Sequence, residues 1–366
     1  MAIRAVKPGE LPSLVSLVSE AFHYPEGQSI SRDFPLLFAE QNVSNLWVET
    51  DEKGAIVAHA GTYSGLLKVE GEEISVAGIG GVFCREDHQG RGLATQLIER
   101  CCESLKARGA VLAFLWTGEH AFYRRSGFEL VGRQWMIHAP VALAKKMADE
   151  AAGLKVEILE GVPRHEFLVE SLKMLEAQPL GWKRTEAAHR TLLTSAGCRV
   201  FSAWEGNALS AWMVIDKGRD LQGYVHEWGG KSAPLNLLLA HVLEQGQRDL
   251  VVLSPQFTPE EAPWVYGLEK TGCTMDAGFM GMVKLLDIAS LRSLAARHVE
   301  NLGLNSTRLV MDREGELYRV GYGDVVFTDI TEREFLKLVF GPEPTGVNQW
   351  DAIFPLRLWF WGMDSV

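Results

Sequence analysis

The feature that most constrains the fold of this chain is a segment in which an apolar run meets a glycine-rich turn and then a helical pattern. The apolar run ends at Cys84, the turn contains Gly90 and Gly92, and the helical pattern begins at Leu93. A turn of this kind directs several backbone N–H groups, and the positive end of the helix dipole, toward one point. The two glycines let an anion approach the backbone, and Arg91 adds positive charge. The segment therefore predicts a phosphate or pyrophosphate site.

The residues that follow predict a helix packed against a sheet. Apolar side chains recur at spacings of three and four, at Leu93, Leu97, Ile98, Cys101, Cys102 and Leu105. The all-apolar run over 110–116 is typical of a strand buried on both faces. One or two helical turns over 120–125 come next, Gly127 would cap them, and another strand starts at Phe128.

Length and composition favour a protein of several globular domains. At 366 residues the chain is too long for one ordinary domain, and we predict domains over 1–140, 141–287 and 288–366. The net charge of −11 argues against nucleic acid as a partner, because phosphates require a basic surface. Five irregularly spaced cysteines favour a reducing compartment. No apolar run reaches the ~20 residues of a membrane span and the N-terminus does not resemble a signal peptide, so a cytoplasmic protein without membrane contact is expected.

Periodicity predicts the elements of the three domains. In the first, a helix over 11–22 precedes alternating strands, over 46–50, 55–63, 66–69 and 73–82. In the second, strands precede a helix over 236–245 that Gly246 would end, and the tryptophans are interpreted as core. In the third, a Thr-x-x-Glu capping box at Thr331 begins a helix, and the chain ends in an apolar segment that is expected to be buried.

Two motifs resemble those of a known superfamily. Gln89-x-x-Gly92-x-Ala94 is similar to the pyrophosphate loop of the GNAT superfamily of acetyl-CoA-dependent N-acetyltransferases. Phe122-Tyr123-x-x-x-Gly127-Phe128 resembles its second signature. With the three-domain layout, the chain resembles the Eis (enhanced intracellular survival) family. The resemblance implies a mixed α/β (α+β) fold: tandem GNAT-like domains, the first active and the second degenerate, and a small C-terminal domain similar to sterol carrier protein.

The resemblance also implies an activity. It is transfer of an acetyl group from acetyl-CoA to a primary amine of a small cationic or peptidic acceptor, aminoglycoside-like amines included. Tyr123 would be the general acid and the C-terminal carboxylate of Val366 the general base. The implied CoA contacts are Val82, Phe83, Cys84, Gln89, Gly90, Arg91, Gly92, Leu93, Ala94, Thr95, Gly118 and Glu119. Some relatives are hexamers, so a homo-oligomer is expected. Arg91 is the one arginine between His88 and Thr95, where family members often have several.

Chemical reasoning adds three expectations around these residues. Backbone N–H groups over 82–84 would bind the thioester carbonyl if that strand splays from its neighbour, and Gly78, Gly80 and Gly81 predict a bulge there. A terminal carboxyl has a pKa near ~3.5, so it needs desolvation to act as a base, which the apolar tail over 356–361 would supply. Glu20, Glu26 and Asp364 are candidates for attracting a cationic amine, although a solvated carboxylate is the simpler interpretation of each.

Other interpretations stay open on the sequence alone. The glycine turn also fits an ordinary loop, and Tyr123 also fits a packed aromatic residue. A non-catalytic CoA-binding sensor, or a lipid carrier with a vestigial acetyltransferase domain, is the alternative function. No metal is predicted, because no histidine pair has the spacing of a zinc site.

Overall fold

The chain forms two compact units that each combine distant parts of the sequence. The structure is a computed structural model that describes residues 2–151, 153–161, 165–342 and 345–366. Unit 1 consists of Met1–Gly132, Phe279–Leu358 and Ser365–Val366, and unit 2 of Arg133–Gly278 and Trp359–Asp364. By contacts, residues 288–358 group with the N-terminal residues. This grouping does not test the predicted division into three consecutive domains, which stays a prediction.

Strands and helices are interspersed along the described residues. The strands are β1 (Ala2–Ala5), β2 (Leu46–Thr50), β3 (Ile56–Val69), β4 (Glu72–Cys84), β5 (Leu112–Leu115), β6 (Glu129–Ala139), β7 (Glu157–Glu160), β8 (Gly181–Trp182), β9 (Arg199–Glu205), β10 (Ala208–Ile215), β11 (Tyr224–Gly230), β12 (Leu250–Pro255), β13 (Thr274–Leu285), β14 (Leu309–Glu314), β15 (Leu317–Tyr322) and β16 (Val325–Ile330). The helices are α1 (Leu11–Ala21), α2 (Ile30–Asp33), α3 (Leu93–Ala107), α4 (His120–Arg124), α5 (Ala144–Glu150), α6 (His165–Glu176), α7 (Glu186–Leu193), α8 (Ser232–Gly246), α9 (Pro263–Thr271), α10 (Ile288–Asn301), α11 (Glu332–Phe340) and α12 (Asn348–Asp351). The predicted mixed α/β fold class is therefore confirmed.

Unit 1 contains a mixed sheet with a core on each face. Its strands lie in the order β1-β2-β3-β4-β5, followed by the part of β13 from Phe279 onward. Neighbours are antiparallel, except that β4 and β5 run parallel. Helix α3 covers one face with its predicted apolar stripe, all six members of which are buried. Helix α1 belongs to the other face, where Leu14 and Val18 join a second apolar cluster. Strands β14, β15 and β16 form a separate antiparallel sheet.

Unit 2 repeats part of this pattern. The part of β6 from Arg133 onward begins a sheet that continues in the order β12-β11-β10-β9-β7. Strands β11 and β12 are its parallel pair, and α8 connects them in the chain as α3 connects β4 and β5. The tryptophans interpreted as core are buried in this unit, at Trp204, Trp212, Trp228 and Trp264.

Most predicted elements agree with the structure to within a few residues, and two predictions are wrong. The strands predicted over 55–63 and 66–69 are one strand, because Gly65 stays extended and pairs with Val76 of β4. Gly246 lies within α8, and Gln247 adopts the left-handed conformation that was expected of the glycine. The capping box is confirmed: Thr331 Oγ1 accepts a hydrogen bond from the Glu334 N–H and Glu334 caps Thr331 in return.

Within the described ranges, none of the helices combines the length and the apolar character that crossing a membrane requires.

Candidate functional site

Strand β4 carries the predicted bulge at Gly81. The register against β3 shifts between the pair His59–Phe83 and the pair Gly61–Gly80. Gly81 has a φ of 61°, a conformation that L side chains rarely adopt. A bulge of this kind turns the strand locally and changes the direction of the groups that follow.

Strands β4 and β5 separate just before this bulge. Their parallel pairing runs over Val76–Gly78 and Leu112–Phe114, and no further pair between them occurs among the described residues. At the far end of β4, the Arg85 N–H donates to the Val57 carbonyl oxygen of β3 at 2.8 Å. Since N–H groups alternate along a strand, those of Cys84 and Val82 point away from β3, toward the side on which β5 has diverged. The predicted splay is present, and it leaves backbone donors facing the opening.

A buried histidine holds the bulge. The Nδ1 atom of His59 lies 2.7 Å from the Gly81 carbonyl oxygen, so it carries the proton and donates it. Burial of the ring lowers the pKa of His59 to about 4, which keeps it neutral at pH 7. Its Nε2 atom is buried without a hydrogen-bond partner within the described part of the chain. The rings of Phe38 and Phe83 stack on either side, at centroid distances of 5.9 and 6.4 Å.

The C-terminal residue lies against the two glycines that precede the bulge. A Cβ built on Gly80 would overlap the carboxyl carbon of Val366, and one built on Gly78 would overlap the Val366 side chain. The Val366 side chain packs on the apolar cluster that contains Leu37 and Phe38. Glycines at positions 78 and 80 thus give the terminal carboxylate a place on β4, next to the point where β5 leaves it.

The loop in front of α3 has the geometry of an anion site. Gly90 and Gly92 have φ values of 75° and 77°, and Gly92 caps α3 without a side-chain hydrogen bond. The first N–H groups of this 15-residue helix therefore have no side-chain partner from the cap. A Cβ on Gly90 would meet nothing within 4 Å, so the approach to this backbone is open. These residues fit a diphosphate such as that of CoA.

The polar side chains of this loop are partly engaged with one another. Arg85 forms a bidentate pair with Asp87 at 2.6 and 2.7 Å, and His88 Nδ1 lies 2.8 Å from the same carboxylate. Gln89 donates to the Cys84 carbonyl oxygen at 3.2 Å, and Arg91 to that of Asp87 at 3.2 Å. Arg91 is exposed, so its guanidinium can also reach an anion in solvent.

Tyr123 lies on α4 with its ring in the core on the α3 side of the sheet. It meets Phe122 and Phe128 edge to face, at centroid distances of 4.9 and 6.1 Å. Burial, with a smaller contribution from Glu119, raises the pKa of Tyr123 to about 12. The hydroxyl is consequently protonated at pH 7, as a general acid must be.

The turn after α4 is held by ion pairs and a lysine. Lys284 donates to the Ser126 carbonyl oxygen. Arg124 binds the buried carboxylate of Glu129 at 3.0 Å, and Arg333 binds it at 2.8 Å. Gly118 and Glu119 lie just before α4, where the Glu119 N–H donates to Thr117 Oγ1 at 2.9 Å. These contacts fix the short helix that carries Tyr123.

The predicted acid and base lie in different clusters. Tyr123 packs against the cluster that contains Ala77 and Ile79, whereas Val366 packs on the cluster of the other face and lies against Gly78 and Gly80. Because side chains alternate along a strand, the two groups approach β4 from opposite faces of the sheet. No described contact joins them.

The acidic candidates differ in outcome. Glu20 and Glu26 are exposed, as a solvated carboxylate would be. Asp364, a candidate for attracting the amine with a solvated carboxylate as the simpler interpretation, is instead buried in unit 2, where its Oδ1 pairs with Arg184 at 2.7 Å. Both interpretations of Asp364 were wrong, because the carboxylate neutralises a buried cation. In unit 1, Asp33 is buried and accepts a hydrogen bond from Tyr24 at 2.7 Å.

Sequence reasoning missed two contacts, one in each unit. His59 lies in an apolar alternating strand, and nothing in the pattern of neighbouring residues marks it as the partner of Gly81. Arg184 and Glu227 are 43 residues apart and meet only in the folded chain. One signal in the sequence could have indicated a buried ion pair: Glu227 is a lone charged residue inside a strand of otherwise buried side chains.

Comparison with known proteins relates unit 1 to acetyltransferases. Residues 2–131 match the model of a family described as an acetyltransferase (GNAT) domain. A 157-residue match at 26% identity, over 41% of this chain and 90% of the relative, is to an uncharacterized N-acetyltransferase, YhbS, from Escherichia coli K12. These matches support a GNAT-type acetyltransferase domain in the N-terminal part of the chain.

Solved structures share the fold over the whole length. A GCN5-related N-acetyltransferase from Kribbella flavida aligns with a TM-score of 0.65 at 14% identity, covering 100% of both chains. Eis1 from Mycobacterium abscessus aligns with a TM-score of 0.59 at 13% identity, covering 97% of both. At these identities the likeness shows the fold alone, so Eis-family membership, including the small sterol-carrier-like domain, stays a prediction.

Proposed function

We propose that the chain is an acetyl-CoA-dependent N-acetyltransferase that acetylates a primary amine of a small cationic or peptidic acceptor. In this proposal, aminoglycoside-like amines are within the acceptor class. Tyr123 is the general acid and the Val366 carboxylate is the general base. The matched GNAT domain covers the glycine loop, the splayed strands and Tyr123, and the Val366 carboxylate reaches the same unit from the end of the chain.

One observation carries the proposal: the terminal carboxylate of Val366 lies on β4 at Gly80, where any residue with a Cβ would exclude it. An α-carboxylate in water is a weak base, with a pKa near ~3.5. Here its residue packs on an apolar cluster, and a partly desolvated carboxylate binds a proton more readily. A carboxylate at this place is also a counter-charge for an incoming ammonium.

The reaction needs one bond formed and one broken. The amine nitrogen attacks the thioester carbonyl carbon, the C–N bond forms and the C–S bond breaks. The acceptor ammonium first loses one proton to solvent, so that its nitrogen has a lone pair. The Val366 carboxylate takes the second proton as the amide forms, Tyr123 Oη gives a proton to the leaving thiolate, and proton exchange with solvent then restores the carboxylate and the tyrosine. The N–H groups of Val82 and Cys84, which point away from β3, are the donors for the carbonyl oxygen. Acetyl-CoA supplies the activated acetyl group, and Gly90 to Thr95 bind its diphosphate.

The experiment that tests this proposal measures acceptor-dependent release of CoA. Purified protein is incubated with acetyl-CoA, a thiol reagent, and a panel of polyamines, aminoglycosides and peptides with a free amine. We expect steady CoA release with at least one acceptor. The Tyr123→Phe variant should lower kcat by about 100-fold while the Kd for CoA stays unchanged, because only the proton donor is lost.

The matched control is Tyr266→Phe in unit 2, since this tyrosine donates to the Phe257 carbonyl oxygen outside unit 1. Unchanged kcat in Tyr123→Phe would reject the assigned acid. Tight CoA binding without release for any acceptor would reject the enzyme and favour the CoA-binding sensor. A lipid found by native mass spectrometry, together with no CoA binding, would favour the lipid carrier.

A further inference from the structure

The last residues of the chain change from one unit to the other twice. Residues up to Leu358 belong to unit 1, Trp359–Asp364 belong to unit 2, and Ser365–Val366 belong again to unit 1. The segment in unit 2 is buried, with exposed fractions of 1% at Trp359 and 0% at Met363. Val366, the residue proposed as the base, thus follows Ser365 and a six-residue segment that is packed in unit 2.

Aromatic packing holds the first half of this segment. Within unit 2, the Trp361 ring meets Trp228 edge to face at 5.7 Å. The Phe360 ring lies 6.1 Å from that of Trp182. These contacts bury the segment, but apolar packing of this kind tolerates small shifts along the chain.

A buried ion cluster fixes the second half. Arg184 Nε donates to Asp364 at 2.7 Å, and its two terminal nitrogens donate to Glu227 at 2.6 and 2.8 Å. The side chains of all three residues are at most 2% exposed. Such bidentate contacts have a narrow geometric range, so the position of Asp364 is closely defined.

Lys217 binds the backbone of the same segment. Its Nζ donates to the Gly362 carbonyl oxygen at 3.0 Å and to that of Met363 at 3.4 Å. Burial lowers the pKa of Lys217 to about 8. Lys217 thus adds a second cation near the carboxylate of Asp364, beside Arg184.

A close backbone approach adds a steric limit. A Cβ on Gly362 would lie 2.6 Å from His226 Nδ1 and 2.7 Å from His226 Cβ. The segment at position 362 therefore accepts only glycine without a shift. His226 is itself fixed, because its Nε2 lies 2.9 Å from the Asp216 carbonyl oxygen.

This arrangement limits where the terminus can go. Val366 is the second residue after Asp364, so the two Cα atoms are at most about 7 Å apart. Buried ion clusters can often be replaced by apolar residues with no loss of stability. A buried ion cluster two residues from the terminal carboxylate is therefore better explained by a fixed position than by stability alone.

We propose that Arg184, Glu227 and Lys217 are positioning residues that hold Gly362–Asp364 and so set the place of the Val366 carboxylate on β4. The inference rests on the proposed function, in which that carboxylate is the general base. It assigns to unit 2 a role in the reaction that does not involve CoA. None of the three residues touches the reacting atoms in this account.

The test is a double-mutant cycle between Asp364→Asn and deletion of Ser365–Val366. In the full chain, Asp364→Asn should lower kcat about 10- to 100-fold, because a displacement of about 1 Å has effects of this size. The Kd for CoA, measured by calorimetry, should not change. In the shortened chain, whose terminal carboxylate is on residue 364 and no longer at Gly80, Asp364→Asn should have no further effect on kcat. Glu186→Gln, which removes an exposed partner of Arg190 in unit 2, is the matched control.

Each outcome decides between the two proposals. If the wild-type chain releases no CoA with any acceptor, the proposed function fails. If wild type is active, the deletion lowers kcat to a measurable residual value and Asp364→Asn has normal kcat, the positioning role is wrong. Equal losses from Asp364→Asn in the full and shortened chains also reject it, because the effect then does not act through the terminus.

A second variant covers the case in which Asp364→Asn does not fold. Gly362→Ala keeps all four charges and places a methyl group against His226. It should displace the tail backbone and lower kcat in the full chain but not in the shortened one. Normal kcat for a folded Gly362→Ala chain would overturn the inference.

Discussion

The two units use the same strand arrangement in opposite ways. In unit 1, the parallel strands β4 and β5 separate after Gly78, and the residues beyond include glycines and backbone donors. In unit 2, the parallel pairing of β11 and β12 covers Tyr224–Val225 and Val251–Val252. Beyond it, β11 presents Glu227 paired with Arg184, and Trp228 donates to the Leu253 carbonyl oxygen at 2.9 Å. The comparison teaches that glycines and the chain terminus line one opening, whereas charged and aromatic side chains fill the other.

The loop between β4 and α3 in unit 1 and the connection between β11 and α8 in unit 2 also differ in whether backbone N–H groups stay accessible. In unit 1, Gly92 in the left-handed conformation leads into α3 and leaves its first N–H groups accessible. In unit 2, Lys231 is extended in front of α8, and its N–H donates to the Ser210 carbonyl oxygen. The chain thus passes from β11 into α8 without a glycine loop that would surround a diphosphate.

The largest expected effect concerns the filled opening of unit 2. Arg184→Met removes the cation between two buried carboxylates and should lower the free energy of unfolding by about 3–5 kcal/mol. Urea unfolding, followed by tryptophan fluorescence, measures this. Arg190→Met, at an exposed ion pair of the same unit, should change it by less than about 1 kcal/mol. If both variants lowered the free energy of unfolding equally, the buried ion pairs of Arg184 would not be what stabilises this part of unit 2.

The buried histidines should make stability depend on pH in both units. Burial lowers the pKa of His59 and of His226 to about 4, and that of His189 to about 3. Between these values and ~6.5 the unfolded chain binds more protons, so stability falls as the pH falls. Each histidine contributes a slope of about 1.4 kcal/mol per pH unit in this window.

Urea unfolding at pH 7 and pH 5 checks this dependence. The free energy of unfolding should differ between pH 7 and pH 5. His59→Gln in unit 1 and His226→Gln in unit 2 should each reduce that difference by the contribution of one histidine. A variant that keeps the full difference would show that its histidine is not the neutral, buried group described here.

A smaller effect, on turnover alone, is expected at the open site of unit 1. Gly80→Ala places a methyl group where the Val366 carboxyl lies and should lower kcat by about 100-fold. Gly267→Ala is the control, because a Cβ there meets nothing within 4 Å and the residue lies within α9. It should leave kcat unchanged. Full turnover by the Gly80→Ala chain would remove the carboxylate from this place in the reaction.

The smallest expected effect compares the two loops directly. Arg91→Met should weaken CoA binding about tenfold, the contribution of one charge-assisted hydrogen bond. Lys231→Met, at the corresponding place in unit 2, should not change the Kd. Calorimetric titration with CoA measures both. Weaker binding in Lys231→Met would mean that unit 2 also binds the ligand.

Local patterns predicted the elements of the site because each depends on neighbouring residues. The apolar stripe of α3, the glycines at 90 and 92 and the capping box at Thr331 all act within a few residues of themselves. The bulge was predicted for the same reason, since the glycines at 80 and 81 are adjacent. The merged strand β3 was missed because pairing with β4 keeps Gly65 extended, which the local sequence does not require.

The sequence by itself determined a mixed α/β protein with a glycine turn in front of a helix and a chain end suited to burial. Only the tertiary structure decided which groups meet: His59 with Gly81, Arg184 with Glu227 and Asp364, and Val366 with Gly80. The physical reason is that these contacts join residues far apart in the chain, whose approach depends on the packing of whole sheets. Residue spacing in the sequence indicates the period of a strand or helix, but it does not indicate which residues far apart in the chain come into contact.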